Sequence, residues 1–143
     1  MRRFWIGAAC VLLTSAAYAE TSDQYSGGGA YSKFKPAIDR ANQSGELFRI
    51  RGTCSSNCTM FLGLRNVCVE RSARLMFHAG HGLGAESNVI NATSTQRMLG
   101  SYNAKLRQYV VASGFMDKLS LSSIPGARII DEFGYAECPK ISR

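Results

Sequence analysis

The chain has 143 residues, 45% hydrophobic and 19% charged. That balance excludes a disordered or collagen-like polymer and supplies the apolar surface of one core. The net charge of +7 is scattered rather than gathered in a run, so it reads as solvated surface, not as a nucleic-acid site. Met1-Arg-Arg3, the apolar stretch 4–16 and Ala17-Tyr-Ala19 have the three parts of a secretory signal peptide cleaved after residue 19. The stretch is shorter than the roughly 20 residues of a membrane-spanning helix, so no integral membrane segment is expected after cleavage. Cys10 follows Gly7-Ala-Ala and lacks the large aliphatic residue, three positions earlier, of a lipoprotein site. Cleavage leaves one domain, 20–143, in the periplasm or secreted, and removing Arg2 and Arg3 lowers the charge to +5.

In chain order, 20–25 is polar and Ser26-Gly-Gly-Gly29 is a turn where backbone can approach another segment. Apolar residues Phe34, Ala37, Ile38 and Ala41 recur at helical spacing and predict a helix over 31–43, stopped at Ser44-Gly45. Residues 47–51 read as a strand that halts at Gly52. Ser56 then caps a helix carrying Met60, Phe61, Leu62 and Leu64. Two short strands are expected at 66–69 and 73–78, with His78 ending the second. Gly80-His-Gly-Leu-Gly84 is a loop. A single helix is expected over 95–113, with Met98, Leu99, Tyr102, Leu106, Tyr109 and Val110 as its apolar stripe and Gly114 as its stop. Residues 116–128 are ambiguous around the Pro125-Gly126 turn, and 129–133 reads as a last short helix. The alternation of helices and strands gives an α/β class.

Once Cys10 leaves with the signal, Cys54, Cys58, Cys68 and Cys138 remain. An even count in an exported domain implies two disulfides, with three pairings open. A zinc site is the competing reading, on a spacing that suits it poorly. Two stretches carry candidate chemistry. Arg51-Gly-Thr-Cys-Ser-Ser-Asn-Cys58 puts serines at a strand-to-helix turn, and Leu75-Met-Phe-His78 ends a strand in an imidazole. A serine beside a general base is the minimal nucleophilic pair. The plainer readings are a capping serine and a hydrogen-bonded strand-end histidine. His81 reads as an exposed loop residue.

These stretches resemble the ClpP/crotonase superfamily, and more narrowly small exported proteins like the proteolytic subunit of the Clp protease. Ser26-Gly-Gly-Gly29 is similar to that family's glycine turn, with glycine in place of proline. Gly52-Thr-Cys-Ser-Ser-Asn57 resembles its nucleophile elbow, and Val67-Cys-Val-Glu-Arg-Ser-Ala-Arg-Leu-Met-Phe-His78 its two-strand segment. Asp131-Glu-Phe-Gly-Tyr135 is similar to the helix end near its C-terminus. The resemblance implies a small single ClpP/crotonase-like domain with strand–helix–strand units. It implies Ser56 as nucleophile, His78 as base, and the amides of Asn57 and Gly28 as oxyanion donors. A peptide or ester substrate follows, with no metal, no cofactor and no nucleic-acid partner, and with assembly into a homo-oligomer open.

The chain departs from the pattern in its short segment before Ser26. It also has no carboxylate around 121–124, where the third triad member is expected; Asp117 and Asp131 flank the gap. These departures favour a second reading: a catalytically silent binding or assembly module of the same fold, stabilised by disulfides. Cysteine catalysis by Cys54 or Cys58 is disfavoured by export.

Overall fold

Gly52 divides the first apolar run into two strands. In the computed structural model, which describes residues 19–141, this glycine has φ 59°, a left-handed conformation that a strand cannot continue through. β1 (Phe48–Ile50) and β2 (Thr53–Ser55) consequently enter different sheets. β1 pairs in parallel with β3 (Val67–Val69). β2 pairs in parallel with β4 (Arg74–Phe77), which pairs antiparallel with β5 (Ser122–Pro125). The chain is thus a small α/β domain with mixed pairing. The segment before the glycine turn is short but not absent from the sheet: Thr21 bridges Arg49 in parallel, and Arg49 N–H donates to Glu20 O at 2.8 Å.

Between β2 and β3 the expected helix forms as a 3₁₀ helix, Ser56–Gly63, but Ser56 does not cap it. Ser55 occupies the cap position, makes no side-chain capping bond, and leaves Ser56 as the first helical residue. Most of the helix lies inside the fold, with Cys58, Thr59, Met60, Phe61 and Leu62 buried. Phe61 stacks on Phe48 with centroids 4.3 Å apart and meets Tyr25 edge-on at 4.9 Å. Phe34 of α1 (Tyr31–Ser44) closes that aromatic cluster. α1 ends at Gly45, whose φ of 67° is the left-handed stop the sequence suggested.

The expected long helix over 95–113 is two helices, α2 (Ala92–Gly100) and α3 (Ala104–Ala112). Asn103 starts the second: its Oδ1 accepts from Leu106 N–H at 3.0 Å and its Nδ2 donates to Phe133 O at 2.7 Å. Arg107 satisfies the end of the first by donating to Leu99 O and Tyr102 O. Gly63 also backs onto the break, since a Cβ there would lie 2.9 Å from Ser101 O. The ambiguous 116–128 stretch contains β5, and the last helix, α4 (Gly126–Asp131), begins three residues earlier than expected. Gly126 has no room for a side chain: a Cβ would stand 2.2 Å from Glu70 O.

Two disulfides hold the frame, Cys54–Cys58 and Cys68–Cys138. The pairing left open by the sequence is settled, and all four thiols are unavailable to zinc. Among the described residues no helix is long and apolar enough to cross a membrane. The signal-peptide assignment falls on residues 1–18, outside the described residues, apart from Ala19.

Candidate functional site

Parallel pairing of β2 and β4 sets Ser55 opposite Met76. Ser56 follows the last residue of β2, and His78 follows the last residue of β4. Both therefore emerge from the C-terminal ends of neighbouring parallel strands, the edge where open α/β sheets bind ligands.

Ser56 is the only non-glycine residue with positive φ among the described residues, at 57°. A side chain in that region costs about 1–2 kcal/mol, so the surroundings must enforce it. Several contacts do so. Ser55 N–H donates to Ser26 O at 2.9 Å, clamping the glycine turn to the elbow. Gly28 lies so close that a Cβ there would come within 2.8 Å of Ser56 Cβ. The Cys54–Cys58 bridge brackets the turn. Below it, Thr59 Oγ1 donates to Ser56 O at 2.7 Å, which leaves Tyr102 O–H as donor in the 2.6 Å contact with Thr59. Burial raises the Tyr102 pKa, outweighing the opposing effect of that hydrogen bond, so the phenol stays protonated and able to donate.

Ser56 lines a cavity of about 200 Å³ together with Gly29, Asn57, His81, Arg97 and Met98. Asn57 Nδ2 donates to Gly29 O at 2.7 Å and ties the glycine turn to the helix start. Gly28, the glycine expected to bind the oxyanion, instead has its N–H engaged by Tyr25 O at 3.0 Å. Gly29, next in the chain, faces the cavity.

His78 is buried, and among the described residues its Nδ1 has no hydrogen-bond partner. Burial lowers its pKa from the ordinary 6.5, and the His81 ring, 5.6 Å away between centroids, lowers it further against a weaker opposing effect of the Ala79 backbone. The imidazole is therefore held neutral, the form a general base requires. His81 lies on the cavity wall, where the sequence suggested an exposed loop, and its Nδ1 contacts Gly82 O at 2.6 Å. Among the described residues no hydrogen bond joins Ser56 Oγ to either imidazole. Neither flanking carboxylate orients His78: Asp131 is taken by Arg71 at 2.7 Å on the surface, and Asp117 is exposed.

No family model, curated protein or solved structure matches the chain. The site therefore rests on its own geometry. Ser56 and Asn57, named from the sequence, line the cavity, whereas His78 is not among its lining residues; Tyr31, Ser94 and Arg97 line it too and were missed. Arg97 sits beside Met98 in a recognised helical pattern. Only the fold of that helix over Gly80 turns it toward Ser56: Gly80 N–H donates to Thr95 Oγ1 at 2.9 Å, and a Cβ at Gly80 would stand 2.4 Å from Ser94 Cβ.

Proposed function

We propose that the chain is an exported ClpP/crotonase-like serine hydrolase acting on peptide or ester carbonyls. The observation that carries this reading is the left-handed Ser56 at a strand-to-helix turn, opening on a cavity. Backbone strain confined to one serine is what a nucleophile elbow requires, since it lifts the hydroxyl clear of the helix. Ser56 Oγ attacks the carbonyl and passes its proton to His78, through Nε2 because Nδ1 is enclosed. The amides of Asn57 and Gly29 hold the oxyanion. The imidazolium returns the proton to the leaving group, and water releases the acyl group by the same path reversed. Without a carboxylate on Nδ1 the imidazolium gains little support, so turnover is slow.

The orphaned Nδ1 of His78 also favours the second reading, a silent binding or assembly module of the same fold. Fluorophosphonate labelling of the folded protein separates them. Labelling that disappears in Ser56→Ala and His78→Gln supports the hydrolase. A folded wild type that never labels supports the silent module. Loss in His81→Gln but not in His78→Gln moves the base to the loop histidine.

A further inference from the structure

We infer that Arg97, stacked on Tyr31, is a carboxylate-binding group in the Ser56 cavity, so that the site takes compact carbonyl compounds bearing a carboxylate. This rests on the hydrolase reading for its chemistry but not for its binding. The Arg97 guanidinium lies over the Tyr31 ring, 4.0 Å from the centroid. Stacking occupies the face of the guanidinium and leaves its N–H edge to form paired hydrogen bonds. Among the described residues that edge donates to no protein acceptor and meets no carboxylate. Other arginines are engaged: Arg40, Arg49, Arg51, Arg71 and Arg128 each pair with an acid, and Arg65 and Arg107 donate to backbone carbonyls. Arg74 also has no partner among the described residues but is exposed on β4, whereas Arg97 is half-buried on the cavity wall.

No aspartate, glutamate or lysine lines the cavity, so Arg97 is its one fixed charge among the described residues. A half-buried cation held by an aromatic face and opposed by nothing is a site for an anion. One guanidinium without a second cation matches a single charge, which a carboxylate carries and a phosphate dianion exceeds. The volume of about 200 Å³ is below that of common small-molecule sites, roughly 300–1,000 Å³, and admits a short acyl or aminoacyl group. Leu83 and Met98 supply apolar wall for its carbon chain.

Two measurements on the intact protein test this. The first compares mono-p-nitrophenyl glutarate with p-nitrophenyl valerate, which differ in the terminal carboxylate. Wild type should prefer the glutarate ester, and Arg97→Gln should reduce the ratio of the two kcat/KM values by about tenfold, with Arg97→Lys restoring part of it. A ratio that Arg97→Gln leaves unchanged, or a wild type that prefers valerate, overturns the inference. The second is calorimetric titration of glutarate onto Ser56→Ala, which cannot turn over. Binding there that is lost on adding Arg97→Gln upholds the carboxylate site even if no hydrolysis exists. Absence of glutarate binding, or equal binding of inorganic phosphate, removes it even if fluorophosphonate labels Ser56.

Discussion

A serine forced to positive φ is better served locally by glycine, and that gives a direct test of strain at the elbow. Ser56→Gly should raise stability by about 0.5–1 kcal/mol in urea denaturation, after the greater freedom of the unfolded glycine is deducted, while abolishing labelling. Ser56→Val, branched and unable to relax there, should lower it. A mutant that gains stability as it loses its reactive group separates this serine from a cap, whose loss would destabilise. His78 supplies a second test. Its folded-state pKa is lowered from 6.5, so as pH falls below that value the unfolded chain takes up a proton that the folded chain resists. Stability should therefore decline as pH falls through the window just beneath 6.5, and be retained above it. His78→Leu should flatten that part of a melting-temperature profile. A wild-type profile unchanged between neutrality and pH 5 would mean the ring is freely hydrated. Both residues were legible in the sequence, Ser56 at the turn between two apolar runs and His78 at the end of one. The strain on one and the orphaned nitrogen of the other were not, since both depend on neighbours distant in the chain.

At the level of elements, the division between α2 and α3 is the feature periodicity concealed. The apolar stripe from Met98 to Val110 stays in phase across the break, because Tyr102 is buried there too and reaches Thr59. The available signals were Gly100 and a potential cap at Asn103, both weaker than the stripe. Asn103→Ala should cost about 1–2 kcal/mol by urea denaturation, because it removes the cap on Leu106 and the bond to Phe133 O. An effect within a few tenths would show that Arg107 alone holds the junction. β5 escaped notice for a different reason. Its four residues alternate buried and exposed, but two are serines, and pairing with β4 supplies the order their composition does not. Gly52 was recognised as a stop, yet the strand's resumption in another sheet depends on partners a linear reading does not contain. α1 was legible nearly to the residue, because its stripe, its length and its glycine stop agree.

Across the whole molecule the two disulfides do unequal work. Cys68–Cys138 spans 70 residues and fastens the C-terminal segment to β3, where Cys138 N–H also donates to Val69 O at 3.0 Å. By loop entropy its removal costs about 4.4 kcal/mol, against about 2 kcal/mol for the Cys54–Cys58 loop. Paired serine replacements should therefore rank in that order by denaturation midpoint, and the Cys54/Cys58 pair should weaken labelling more than stability. The reverse ranking would show that the short bridge governs the fold. The sequence implied two bridges but not this division, because pairing is set by the sheets. The long bridge also imposes an order in time on a chain made from its N-terminus. Cys54, Cys58 and Cys68 all exist as thiols long before Cys138 is synthesised. Cys54 can meet Cys58 by closing a short loop, while Cys68 must wait through 70 further residues for its partner. During that wait Cys68 can attack its neighbours, so oxidative maturation is a race between local closure and thiol exchange.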